Sequence, residues 1–311
     1  MPLAPEYQAM LAQLAETPAP KMTDLSPAET REMYREMRPV NDTIEVGSIE
    51  NRRIPGPEGD IPIRIFNPVS RRDGQGGPGI LVNFHGGGWV IGDLDTSDAV
   101  CRGMCNAADC IVVSVDYRLA PEHIYPAALE DAYAATCWVA DNAAELGGSD
   151  KLAVMGESAG GNLAAAVTLK ARDENGPSIA YQLLAYPVVD HDMSRPSYSD
   201  NREGYLLETE LMVWFWDHYC PEHSRRSEPG ASPLLAESLA DLPPALILTA
   251  EFDPLRDEGH AYADRLARSG VAAQAVCFDG LIHDFLATAE LFECSRAAFD
   301  RAAATLKNAL C

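Results

Sequence analysis

Beyond residue 78 the chain alternates two kinds of apolar pattern. "ILVNF", "CIVVSV", "KLAVMG", "AYQLLAY", "PALILTA" and "AAQAVCF" are short and apolar on both faces, which predicts buried strands. Most are separated by longer stretches such as "PAALEDAYAATCWVADNAAELG" and "AGGNLAAAVTLKARDENG", long enough for helices. Strands of that kind alternating with helices predict a mostly parallel sheet covered on both faces. Upstream, "DTIEVGSIENRRIP" and "DIPIRIFNP" alternate apolar with polar residues around the turn-forming "GPEGD". That pattern predicts an antiparallel hairpin or a pair of edge strands, bringing the sheet to eight strands. The segment "VSRRDGQGGPG" that follows is a loose connection.

The first forty residues read as two helical pieces separated by "ETPAPKMTDL". Ser26, Pro27 and Glu29 fit the N-cap, first-turn proline and capping-box acid of the second piece. Its apolar positions Met33, Tyr34 and Met37 share one side, so it needs a surface to lie against. One connection is out of proportion: more than fifty residues separate "LLAYPVVD" from "PALILTA". Within it, "YLLETELMVWFWDHY" gathers Met212, Trp214, Phe215 and Trp216 on a helix-length segment. It is either an amphipathic helix packed on the sheet or a lid that, with the N-terminal arm, roofs an apolar pocket.

A chain of 311 residues, 47% hydrophobic, can bury a large core without disulfides or a structural metal. Neither end reads as a secretion signal, and no apolar run is long enough to span a bilayer, which predicts a soluble, cytoplasmic protein without membrane insertion. The eight cysteines lack metal-site spacing and suit a reducing compartment. A formal charge of -23 repels phosphate backbones and argues against nucleic acid as a partner.

The most specific chemistry lies in "VMGESAGGNLAAA", where Gly156-Glu157-Ser158-Ala159-Gly160 follows a predicted strand and opens a predicted helix. A sharp turn there would raise the Ser158 hydroxyl at the carboxyl edge of the sheet. A serine nucleophile needs a base. Of seven histidines, only His283 in "CFDGLIHDFL" lies in a loop between the last predicted strand and the final helix, at that same edge. His260, on a predicted helix, reads as a surface residue. The base in turn needs an acid. "LILTAEFDPLRDEG" offers Glu251, Asp253, Asp257 and Glu258, and Asp253 sits best for it. Asp257 and Glu258 are expected to cap or charge the first turns of the following helix. The order Ser158, Asp253, His283 is that of an α/β-hydrolase triad.

"NFHGGGWVIG" places three glycines behind His85 after a strand. Bare amides of Gly87 and Gly88, with that of Ala159, would form an oxyanion hole for a tetrahedral intermediate. Neither a phosphate-loop nor a dinucleotide fingerprint is present, no histidines share metal-ligand spacing, and no cofactor is implied.

These motifs together resemble the hormone-sensitive-lipase-like family of α/β-hydrolase carboxylesterases. The matching pieces are "HGGGW" (85–89), "VDYRLAPEHIYPAALED" (115–131), "GESAGG" (156–161), "DPLRDEG" (253–259) and "GLIHDF" (280–285). The resemblance implies an α/β-hydrolase fold with an eight-stranded, mostly parallel sheet flanked by helices and a helical cap. It also implies Ser158, Asp253 and His283 as triad and Gly87, Gly88 and Ala159 as oxyanion hole. The cap would comprise residues 1–40 and an inserted segment 190–230, over a catalytic domain of residues 41–189 and 231–311. The expected activity is hydrolysis of short- to medium-chain carboxylic esters through an acyl-enzyme. Lactone or amide hydrolysis uses the same chemistry, and a non-catalytic fold binding a small apolar ligand is the alternative outside enzymes. The partner is a small-molecule ester, and a homodimer through the last edge strand or a cap surface is compatible with the pattern. The sequence departs from the commonest family pattern at Glu157, where aspartate is usual, and this points to altered hydrogen bonding behind the serine. Asp116, Tyr117, Arg118 and Glu122 form a charged cluster that reads as structural.

Overall fold

The computed structural model describes residues 2–16, 19–69 and 77–311. Part of the break between the two N-terminal helices and most of the loose segment before "ILVNF" lie outside the described residues. In chain order, α1 (Pro5–Glu16) and α2 (Pro27–Met37) precede β1 (Ser48–Gly56) and β2 (Gly59–Asn67). Then come β3 (Ile80–Phe84), α3 (Asp98–Ala108), β4 (Ile111–Val115), α4 (Ala127–Asp141), β5 (Leu152–Glu157) and α5 (Ala159–Asp173). The chain continues through β6 (Tyr181–Ala185), a short α6 (Pro196–Asp200), α7 (Thr209–Tyr219), β7 (Ala245–Phe252), α8 (Arg256–Arg268), β8 (Ala273–Ile282) and α9 (Glu293–Leu310).

The eight strands form one sheet in the order β1-β2-β4-β3-β5-β6-β7-β8. β1 and β2 are the expected hairpin, and β2 also runs antiparallel to β4. All remaining neighbours pair in parallel. The apolar runs are continuous because both faces are buried, and successive side chains divide between two cores. Ile80, Val82 and Phe84 of β3, with Leu152 and Val154 of β5, join the core that contains the buried faces of α4, α5 and α7. Leu81, Ala153 and Met155 point the other way, toward the buried residues of α3 and α9.

Four elements differ from the apolar pattern. Helix α3 is absent from the sequence-based assignment because its buried stripe is built from Val100, Cys101, Met104, Cys105 and Ala108, with small and thiol side chains rather than long aliphatic ones. Helix α4 stops at Asp141, short of Gly147. Strands β7 and β8 outrun their apolar cores by adding half-exposed or polar residues such as Glu251 and Asp279, where the chain leaves the sheet.

Helix α2 begins as its sequence predicts: Ser26 Oγ accepts from the Glu29 amide, and Glu29 Oε2 accepts from the Ser26 amide at 2.9 Å. Its attachment is more polar than Met33, Tyr34 and Met37 suggested. The buried residue of the helix is Thr30, while Met37 is 49% exposed. Arg31, Arg35 and Arg38, spaced to share a helix face, tie it down instead. Arg31 donates to the carbonyls of Val90 and Ala120, each at 2.8 Å, and pairs with Glu122. Arg35 pairs with Asp93.

Candidate active site

Strands β3, β5, β7 and β8 run parallel, so their carboxyl ends open on the same sheet edge. Ser158 follows β5 with φ 55° and ψ −117°, a rare conformation for a side-chain-bearing residue, and α5 begins at the next position. The turn closes because its flanking positions lack a Cβ. One added at Gly156 would lie 2.0 Å from the Gly160 carbonyl oxygen, and one at Gly160 would lie 1.9 Å from that of Phe84.

His283 follows β8 and brings Nε2 to 3.0 Å from Ser158 Oγ. Its Nδ1 lies 2.7 Å from Asp253 Oδ2. A carboxylate only accepts, so Nδ1 carries the proton and Nε2 is left to accept from the serine hydroxyl. Asp253 follows β7, is fully buried, and is held from both ends. Its Oδ1 accepts from the Leu255 amide at 2.8 Å, while its carbonyl accepts from Asn201 Nδ2 at 3.1 Å. The three residues singled out in the sequence therefore form one hydrogen-bonded chain. His123, His191, His218, His223 and His260 lie elsewhere. His260 is half-buried, with Nε2 3.0 Å from Thr249 Oγ1, rather than free on the surface.

The glycine loop lies against this chain. Gly87 and Gly88 take φ 114° and 56°, and the Gly87 carbonyl accepts from the Val90 and Ile91 amides at 3.0 and 2.9 Å. Among the described residues, nothing accepts from the amides of Gly87, Gly88 or Ala159. Gly87 and Gly88 border the cavity that contains Ser158 and His283. His85 supports the loop from behind. Its ring stacks on Tyr117 at 4.2 Å, and its Nδ1 lies 2.7 Å from the Gly86 carbonyl. Burial pushes its pKa down to about 4, so it is a neutral buttress at ordinary pH. The Tyr117 hydroxyl donates to the His85 carbonyl at 2.7 Å, and Arg118 pairs with Asp131, consistent with a structural cluster.

The cavity has a volume of about 410 Å³. Its walls include Met10 of α1, Met22, Leu206, Leu211 and Phe215 of α7, and Leu291. Helix α7 does more than pack on the sheet. Phe215 lies so close to Gly88 that an added Cβ would sit 2.1 Å from its ring, while Trp216 and Tyr219 pack against Trp89.

Two acidic positions differ from expectation or were missed. Glu258 stands in the first turn of α8, as expected, but does not face water. It is fully buried, accepting from the amides of Val189 and Asp190 at 2.7 and 3.3 Å and from the Tyr198 hydroxyl at 3.0 Å. Burial raises its carboxyl to about 8. The sequence conceals this because an acid in a first helical turn ordinarily faces water. Asp257 accepts from the Ser197 amide at 2.8 Å and pairs with Arg256. Asp284, next to His283, has φ 75° and pairs with Arg38 of the arm, a partnership no local motif announces.

The α/β hydrolase fold family model matches residues 81–287. The chain is 44% identical over 259 residues to the esterase LipI of Mycobacterium tuberculosis, covering 83% of this chain and 81% of that protein. It is 39% identical over 313 residues to carboxylesterase NlhH of the same species, covering 98% and 97% respectively. Among solved structures, a thermostable esterase from Pseudomonas putida ECU1011 superposes with a TM-score of 0.93 at 37% identity, covering 100% of this chain and 98% of that one. With its fold, motifs and relatives in agreement, the chain belongs to the hormone-sensitive-lipase-like family of α/β-hydrolase carboxylesterases.

Proposed function

We propose that this carboxylesterase hydrolyses short- to medium-chain esters through an acyl-enzyme on Ser158. The observation that carries the reading is the continuous hydrogen-bonded chain from Ser158 through His283 to Asp253, opening into an apolar cavity. Ser158 Oγ attacks the ester carbonyl carbon while His283 Nε2 takes its proton. Asp253 holds the imidazole in orientation and balances the positive charge it acquires. The carbonyl oxygen becomes an oxyanion, and the free amides of Gly87, Gly88 and Ala159 stabilise it. His283 then protonates the departing alkoxide. In the second half-reaction it deprotonates a water that attacks the acyl-enzyme, and the acid leaves as Ser158 recovers its proton.

The cavity of about 410 Å³ lies toward the small end of ligand pockets, which supports compact esters over long triglycerides. Residues 1–40 and 190–230 act as the cap over residues 41–189 and 231–311, a division supported by the walls that Met10, Met22, Leu206 and Phe215 contribute. No helix among the described residues is long and apolar enough to cross a membrane, and we read the location as cytoplasmic. A homodimer would pair through β8, an edge of the sheet, and light scattering that finds only monomer refutes that part.

Rates on p-nitrophenyl esters of increasing acyl length, with parallel amide and lactone substrates, test the reading. Turnover should peak at short or medium acids and favour esters, and Ser158→Ala should abolish it while leaving circular dichroism unchanged. A maximum at long acids removes the chain-length assignment; turnover that survives Ser158→Ala removes the nucleophile.

A further inference from the structure

A carboxylate stands immediately beside each of the two reacting residues. Glu157 precedes Ser158, and Asp284 follows His283. Both line the cavity, and both are joined to one hydroxyl: Tyr186 Oη lies 3.0 Å from Glu157 Oε2 and 3.4 Å from Asp284 Oδ1. The Tyr186 ring stands edge-on to the His283 imidazole, with centroids 4.7 Å apart.

Two carboxylates sharing one hydroxyl in a buried place repel each other unless a cation lies between them. The cation comes from far away in sequence. Arg38, the C-cap residue of α2, pairs with Asp284, and its guanidinium lies 4.9 Å from the centroid of the Tyr34 ring. Its charge also acts on Glu157, opposing the rise that burial imposes on that carboxyl. Among the residues that line the cavity, Arg38 is the one arginine, and there is no lysine.

Asp284 meanwhile holds φ at 75°, a left-handed conformation uncommon for a residue with a side chain. The pair with Arg38 restrains that residue from outside its own loop.

We propose that Arg38 is a positioning residue for the triad: by pairing with Asp284 it keeps the His283 turn aligned with Ser158, so the reaction is competent only when the N-terminal arm is seated. It acts on the imidazole indirectly, through Asp284, the residue that follows His283. The inference rests on the assignment of Ser158 and His283 as the reacting pair.

The test compares Arg38→Met, Arg38→Lys, Asp284→Asn and the Arg38→Met/Asp284→Asn pair on p-nitrophenyl acetate, an ester too small to need the arm for binding. Arg38→Met should lower kcat by about 10- to 100-fold, the scale of a small misalignment, with KM held within about threefold. Arg38→Lys, which keeps the charge, should recover most of the loss. Asp284→Asn should reproduce it, and the double variant should be no worse than Arg38→Met alone. A kcat within about twofold of the parent in Arg38→Met, no recovery with lysine, or multiplied losses in the double variant overturns the inference. If Arg38→Met fails to fold, Asp284→Asn decides, since a normal kcat there is equally fatal. Ser158→Ala separates the two levels of argument. Turnover that survives in it removes the triad and this inference together, whereas an inactive Ser158→Ala beside a fully active Arg38→Met removes the bridge alone.

Discussion

Replacing Glu258 with glutamine should make the protein more stable in mild alkali, although it deletes a hydrogen-bonded carboxyl behind the acid loop. The group lies in α8 with no solvent exposure, and its bonds reach the chain leaving β6 and Tyr198 of α6. Burial raises its pKa from 4.5 to about 8. Below about pH 4.5 the carboxyl is protonated in both folded and unfolded chains, and the stability of the neutral, buried form is fully expressed. As pH climbs, the unfolded chain releases this proton while the folded one retains it, so stability falls until the folded group also ionises near pH 8. At 1.36 kcal/mol per pH unit, a gap of about 3.5 units amounts to ~5 kcal/mol. Glutamine keeps the shape and has no proton to lose. The Tyr198 hydroxyl, which donates to Oε2 in the parent, can turn to accept from the amide nitrogen that takes that position. Urea unfolding followed by tryptophan fluorescence gives both stabilities across about pH 4.5 to 9. Asp190, Arg195 and Tyr198 face the group in both proteins, so the difference between them isolates position 258. The advantage of Glu258→Gln should be small at the acid end, grow through neutrality, and level off above about pH 8. A difference independent of pH, or one that shrinks as pH rises, shows that Glu258 is ionised in the native protein and refutes the argument.

Asp253→Asn should leave the fold in place but lower kcat by roughly 10⁴-fold, because an amide can donate to Nδ1 and trap the tautomer that cannot accept the serine proton; steady-state kinetics with less than a tenfold loss contradict the role. Gly88→Val should lower turnover by at least about 10²-fold, since φ 56° strains any side chain and its Cβ would lie 2.1 Å from the Phe215 ring, displacing either an oxyanion donor or α7. Unchanged kcat with p-nitrophenyl acetate rules that placement out.

The hydrogen-bonded chain of Ser158, His283 and Asp253 was legible because each member sits where a strand meets a loop, and parallel pairing then forces those strand ends onto one edge. An apolar run fixes the strand, the strand fixes its carboxyl end, and a serine between glycines or an aspartate before proline is what remains there. The glycine loop at 86–88 was legible for a related reason, since a turn that tolerates no Cβ can only be written with glycine. Helix α3 was not, because cysteine and alanine make a buried stripe without a strong aliphatic signal. Glu258 was misread because position in a first helical turn says nothing about the α6 segment that later covers it.

Arg38 shows the deeper limit. Its helix was predicted down to the capping box, yet nothing in its sequence marks the arginines at 31, 35 and 38 as the groups that attach it. Whether such a face meets water or carboxylates depends on where the helix docks, and docking is decided by surfaces formed from every other part of the chain. Periodicity can therefore say which side of a helix is apolar, but it cannot say that the polar side will be the one that holds. For α2 the polar side reaches Val90 beside the glycine loop through Arg31 and the residue after His283 through Arg38, so the arm touches both halves of the proposed site. An arm fastened mainly by apolar contacts could slide along its cavity with little change in energy. Directional arginine bonds to fixed carbonyls and carboxylates define a seat, and a seat is what an imidazole aligned from outside its own loop requires.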